Sequence, residues 1–198
     1  MIIHSVLENC TACDLSKNRT NIVYGEGSPN SHIMFVRSHP TEEEDIAGSL
    51  YEGDSSKKFV ELLKEVGFDT ALTYTTFANK CHATRKKGPL PKEIFECKEF
   101  LFREMEFIKP HLIVALGKQA IRSVLDKTYP SEHIDKHRQK ILKTPTNPST
   151  VRFNLLPTDV IVSYDTLMVY LHIQVREKVK EDLQFARTHY LKQMVNEL

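Results

Sequence analysis

The sequence predicts an α/β fold of three layers, α/β/α, around a central parallel four-stranded sheet. Two observations carry this: short, wholly apolar runs that read as strands buried on both faces, and amphipathic helical stretches that alternate with them. With 40% apolar and 27% charged side chains, the 198 residues can bury one sizeable core, so a single domain over 1–198 is expected.

The first strand is Ile33-Met34-Phe35-Val36, preceded by the turn residues Ser28-Pro29-Asn30. A polar loop from Ser38 to Asp54 follows. Ser55-Ser56 then introduces Phe59, Val60, Leu62, Leu63 and Val66, an amphipathic helix that Gly67 can end. Thr, Tyr and Phe crowd the stretch from Leu72 to Phe77, the mark of a second strand. Pro91 suits the first turn of a helix running through Phe95, Leu101, Met105 and Ile108, which Lys109-Pro110 closes. Leu112 to Leu116 is the third strand, and Gly117 permits a tight turn into a helix over Ala120 to Leu125. Val160-Ile161-Val162 is the fourth, ahead of a long helix toward the C-terminus. In such folds ligands bind at the carboxyl ends of the strands.

The formal charge of +1 conceals local contrast: Glu42 to Asp45 is acidic, whereas Lys80 to Lys87 and Lys136 to Lys143 are rich in Lys, Arg and His. Net charge therefore neither favours nor excludes nucleic acid. Met1 to Leu7 has no basic stretch or long apolar run, and nowhere do about eighteen apolar residues follow one another. A monomer without membrane contact is expected, in the cytoplasm, or a host's cytoplasm if the source is viral.

The chain has four cysteines, a close pair at Cys10 and Cys13 and a wider pair at Cys81 and Cys97. Disulfides are rare in cytosolic proteins, and four thiolates in two groups suit a metal site in which the close pair preorganises half of the ligands. Spacing does not separate zinc from an iron-sulfur cluster, and buried, unliganded Cys81 and Cys97 are a third possibility.

The order of motifs resembles the iron-sulfur, family-4 uracil-DNA glycosylases. Their pattern begins with C-x-x-C, a Leu, an Arg and V-x-G-E-G-x-P; here stand Cys10, Cys13, Leu15, Arg19, Val23 and Gly25-Glu26-Gly27-Ser28-Pro29. Between their third and fourth cysteines lies a Pro-rich segment, matched without a gap by Lys80-Cys81 through Pro89, Pro91, Glu93, Ile94 and Cys97. Their I-K-P-x-x-I-V-x-L-G is matched by Ile108-Lys109-Pro110, Ile113-Val114 and Leu116-Gly117. The resemblance implies a uracil-DNA glycosylase-like fold and a structural [4Fe-4S] cluster on Cys10, Cys13, Cys81 and Cys97. It also implies DNA as a partner, and a role in replication or repair that a further protein could share.

Base excision requires a flipped nucleotide, a pocket that reads its edge, and stabilisation of the charge developing on the leaving base. The resemblance places these functions on positions that have changed. The family's G-E-x-P-G reads Arg37-Ser38-His39-Pro40-Thr41, so the acid that organises the attacking water is Ser38; Glu44 of the retained Glu44-Asp45-Ile46-Ala47-Gly48 leaves a carboxylate nearby. Tyr51 replaces a Phe that stacks on the base. Phe77 replaces the Asn that reads uracil, with Asn79 one strand repeat further along. The family's Y-H-P motif, whose His donates to the uracil oxygen, aligns with Ser163-Tyr164-Asp165-Thr166 or with Thr146-Asn147-Pro148-Ser149. The first alignment keeps the spacing to Glu181-Asp182-Leu183 and puts Asp165 where a donor belongs, and a carboxylate there opposes the developing oxyanion.

The leading expectation is a DNA-binding iron-sulfur protein on a glycosylase scaffold with uracil excision lost or strongly reduced. Lys80, His82, Arg85, Lys86 and Lys87 would contact phosphates. The alternatives are an active glycosylase of altered base specificity, with His39 or Glu44 at the water and Asn79 or Asn147 reading the base, and a zinc-stabilised interaction protein unrelated to DNA.

Overall fold

The computed structural model describes residues 7–125, 134–145 and 157–196. Its centre is a six-stranded sheet in the order β1-β3-β2-β4-β6-β5. The strands are β1 (Glu26–Gly27), β2 (Ile33–Arg37), β3 (Tyr74–Phe77), β4 (Leu112–Leu116), β5 (Leu142–Lys143) and β6 (Asp159–Ser163). β3, β2, β4 and β6 are parallel, in a register that sets Phe35 beside Thr75 on one side and Val114 on the other. These are the four strands read from the sequence. Two-residue antiparallel strands, β1 and β5, cover the edges, where unpaired backbone would otherwise invite other chains.

Every residue of β2, β4 and β6 is buried, and alternation sends successive side chains into two cores. On one face Met34, Val36, Ile113 and Val160 pack with Leu101, Phe102 and Met105 of α3 (Pro91–Ile108), Ile121 and Val124 of α4 (Lys118–Leu125) and Ile134 of α5 (Ile134–His137). On the other, Ile33, Phe35, Val114 and Ile161 meet Phe59, Leu62 and Leu63 of α2 (Gly53–Val66) and Val179 and Leu183 of α7 (Ile173–Asn196). Three layers result. Among the described residues no helix is long and apolar enough to cross a membrane.

The structure corrects three details. The polar loop after β2 contains a helix, α1 (Glu42–Ala47), because Thr41 and Glu44 close a capping box and Gly48 ends it in the left-handed region. Its carboxylates cluster at the positive end of the helix dipole, so a run that looks like solvated charge in sequence has a local role. The second strand begins at Tyr74, not Leu72, because the Leu72 and Thr73 amides both donate to the Asp69 carbonyl in a turn. The C-terminal helix is preceded by a separate short one, α6 (Thr166–Leu171), which Asp165 caps through its hydrogen bond from the Leu167 amide.

The chain leaves β2 toward β3 on one side of the sheet and returns to β4 on the other. The carboxyl ends of β2 and β4 thus flank a topological switch point, where open α/β sheets form their ligand crevice.

Candidate functional site

At that switch point three strand ends converge. Ser38, just past β2, donates to Asp165 Oδ2 at 2.5 Å, with the Leu116 carbonyl of β4 3.3 Å from the same hydroxyl. Gly117 makes this closeness possible: at φ 92° it has no side chain, and a Cβ there would lie 2.5 Å from Asp165 Oδ2 and 2.6 Å from Ser38 Oγ. The sequence-predicted Ser38 and Asp165 are therefore brought into direct contact. Asp165 is also the cap of α6, so its two oxygens are divided between Leu167 and Ser38.

Beside them lies a residue the sequence reading missed. Arg37, the last of β2, is only 2% exposed. Its guanidinium carbon stands 4.7 Å from the Phe77 ring centre and 5.9 Å from that of Phe59. Nη1 donates to Glu44 Oε1 at 2.5 Å, Nη2 to Ser56 Oγ at 3.0 Å, and Nε to Thr166 Oγ1 at 3.1 Å. Glu44 is wholly buried and accepts in addition from the Ser56 hydroxyl and the Thr41 amide. Glu44 is thus corrected from a group that could organise water to the counter-ion of Arg37.

Tyr51 adjoins this pair, its amide donating to Glu44 Oε1 at 3.3 Å. Its backbone is left-handed at φ 71°, and burial pushes its phenol above the usual tyrosine range. Phe77 has no exposed surface, and its ring faces Arg37 where a base-reading group was expected. Asn79 is likewise fully buried, with Nδ2 donating to the Glu93 carbonyl, so it ties strand to helix and does not face the crevice mouth.

An open cleft of about 340 Å³ adjoins this buried cluster; Arg37 is in its lining, with the basic or imidazole residues His39, His82, Arg85 and Lys86 and the acidic residues Glu42, Glu43, Asp54 and Asp165. Burial holds His39 below the usual histidine range, although Asp165 pulls the other way. Its Nδ1 has no hydrogen-bond partner. His82 lies 2.9 Å from the Pro40 carbonyl, and Gly88 passes so near His39 that a Cβ there would sit 3.0 Å from Cε1. The basic loop is thereby pinned at the cleft mouth. Arg85 pairs with Glu93, while Lys86 and Lys87 face solvent.

Lys80 is the clear correction among the predicted phosphate contacts. It is 1% exposed, and its ammonium is spent on Glu104, Thr76 and the Phe77 carbonyl. Asn147 lies outside the described residues.

At the far end of the same loop all four cysteines line one small cavity, together with Leu7, Leu15, Arg19 and Phe100. None is in a disulfide. Arg19 reaches Cys81 Sγ at 3.5 Å and the Cys10 carbonyl at 2.7 Å, and the Lys80 amide donates to Cys97 Sγ at 3.4 Å. Burial pushes the Cys81 thiol up to about 11 and the Cys97 thiol up to about 12. Among the described residues no three His, Cys, Asp or Glu side chains are grouped so that they could hold a metal ion.

A family model described as the Uracil DNA glycosylase superfamily matches residues 24–185. This chain belongs to that superfamily. The type-4 uracil-DNA glycosylase of Thermotoga maritima is 38% identical over 125 residues, 63% of this chain and 65% of that protein. The type-4 uracil-DNA glycosylase of Archaeoglobus fulgidus is 30% identical over 179 residues, 89% of this chain and 85% of that protein. A DNA polymerase of Bacillus phage SP01 is 28% identical over 105 residues, 52% of this chain and 11% of that protein. The scaffold is therefore that of a DNA glycosylase, and the superfamily match takes in Arg37, Ser38, Phe77 and Asp165. Arg37 had a signal in the sequence: it stands where the uracil-DNA glycosylase pattern G-E-x-P-G has its first glycine.

Proposed function

We propose that this member of the uracil-DNA glycosylase superfamily binds DNA, carries an iron-sulfur cluster and has lost, or nearly lost, uracil excision. The observation that carries this reading is the Ser38–Asp165 contact at the strand ends. Uracil leaves as an anion, and the rate depends on donors aimed at its developing charge. Here a carboxylate occupies the position aligned with the donor, and the protons that reach it, from the Ser38 hydroxyl and the Leu167 amide, are hydrogen-bonded to its own oxygens. Absence of one such donor typically costs about 100- to 1,000-fold in rate. His39, with burial favouring its neutral form, lines the same cleft next to Ser38 in the chain.

DNA would lie along the cleft mouth, with Lys86, Lys87 and His82 at its basic side, while Arg85 reaches the same side from its pairing with Glu93. The acidic lining residues Glu42, Glu43 and Asp54 would repel a second backbone, which favours single strands over duplex. Similarity to part of a phage DNA polymerase supports a setting in replication as well as repair.

Cys10, Cys13, Cys81 and Cys97 would hold the cluster, which would tie the N-terminal segment, the loop after β3 and α3 together through its thiolate bonds. The donor set fits: four sulfurs line one cavity, with a cation and an amide directed at two of them. A cluster takes one thiolate on each of several irons and so suits thiols that do not converge on a single ion.

The testing experiment is a base-release assay on anaerobically purified protein, over uracil, thymine-derived and deaminated purine substrates in both strand forms. No release, together with salt-dependent DNA binding, is expected. Robust turnover of uracil would overturn the reading, and release of another base would establish the altered-specificity alternative, which the open cleft beside His39 favours.

A further inference from the structure

The Arg37 side chain does more than form a buried ion pair. Standing at the end of β2, it receives contacts from four other elements: it stacks on Phe77 of β3, meets Phe59 and Ser56 of α2, pairs with Glu44 of α1 and donates to Thr166 of α6. That is the point where the strand ends of this topology open toward a ligand. A planar cation over an aromatic face, with each of its three nitrogens hydrogen-bonded, reproduces the two interactions by which pockets hold a flipped base: stacking on a ring and hydrogen bonding at the edge. Burying a guanidinium is costly unless it is paired and fully bonded, and here a wholly buried carboxylate and two hydroxyls are committed to that task. Tyr51 closes the same space, with its hydroxyl directed toward Thr75 but lacking a hydrogen-bond partner.

We infer that Arg37 is an internal occupant of the base pocket: the guanidinium fills the place of a flipped pyrimidine, excludes every base from it, and confines nucleic acid to the outer cleft. This makes Arg37 the specificity-determining residue of the site, acting by exclusion. The inference deepens the proposed loss of excision but rests on different atoms from the Ser38–Asp165 contact. A pocket opened by removing Arg37 would still lack a donor for the leaving base, so base binding and base excision are separable.

The test follows backbone amide NMR signals of the full chain on titration with free uracil and, separately, free cytosine. Three proteins are compared: the unmodified chain; the double variant Arg37→Gly with Glu44→Gln, which empties the pocket without stranding a carboxylate; and Arg37→Met with Glu44→Gln, which removes charge but keeps bulk. Saturable shifts at the Tyr51 and Phe77 amides are expected in the emptied variant alone. A folded emptied variant, judged by its dispersed spectrum, that shows no such shifts would overturn the inference. So would saturable shifts at Phe77 in the unmodified chain, a result that needs no variant to fold. Uracil release and oligonucleotide affinity are measured on the same samples. Excision by the unmodified chain would defeat the proposed function, whereas base binding by the emptied variant without excision leaves both conclusions standing.

Discussion

Reversing the charge of Lys86 and Lys87 should change the salt dependence of DNA binding by a calculable amount. The structure narrows the basic loop to these two residues: the Lys80 ammonium is buried on Glu104, Arg85 is held by Glu93, and His82 sits against the Pro40 carbonyl. Each phosphate neutralised contributes a slope in log affinity against log salt of about −0.7 for single strands and about −0.9 for duplex. Losing two contacts therefore flattens the slope by about 1.4 or about 1.8 respectively. Between about 50 and 200 mM salt, the unmodified chain should lose about 7-fold more affinity than Lys86→Glu/Lys87→Glu on single strands, and about 12-fold more on duplex. Both side chains are exposed, so the fold should be unaffected. Fluorescence anisotropy with a labelled oligonucleotide, titrated at several salt concentrations, gives both slopes. Superimposable slopes would refute the assignment of phosphate contacts to this loop.

Cys97→Ser should abolish iron and acid-labile sulfide and the brown colour of anaerobic protein; elemental analysis showing stoichiometric zinc without iron in the unmodified chain would dismiss the cluster. Glu44→Ala should cost about 3–5 kcal/mol in denaturant unfolding, because it leaves the Arg37 guanidinium buried without its counter-ion. Asp14→Ala, in an exposed pair with Lys17, should leave the midpoint where it is. Gly117→Ala should destabilise by about 1–3 kcal/mol, since it places an alanine at positive φ against Asp165 and Ser38. His39 has a folded-state value depressed by burial from an ordinary 6.5, so the unfolded chain takes up its proton first. Its contribution to stability is present above about pH 6.5 and lost as pH falls through the folded value. Urea midpoints measured down the acid limb should fall less steeply in His39→Gln, and an unchanged slope would contradict the placement of His39.

The sequence by itself determined the alternation of strands and helices, the four parallel strands and the superfamily. Each of these rests on local signals, such as the apolar runs of β2, β4 and β6, Pro91 opening α3, Gly67 closing α2, and motifs in fixed order. It also singled out Ser38 and Asp165, which the fold brings within hydrogen-bonding distance across 127 positions of chain. Only the tertiary structure decided what a charged side chain is for. Lys80 and Lys87 look alike in one basic run, yet one is sealed against Glu104 and the other faces solvent. Glu44 belongs to an acidic run that reads as surface, and is the wholly buried partner of Arg37. The physical reason is that burying a charge is tolerable only beside an opposite charge and hydrogen-bonding groups, and those partners come from α1, α2, α3 and α6, separate elements, from 7 to 129 positions away, whose meeting no local pattern records.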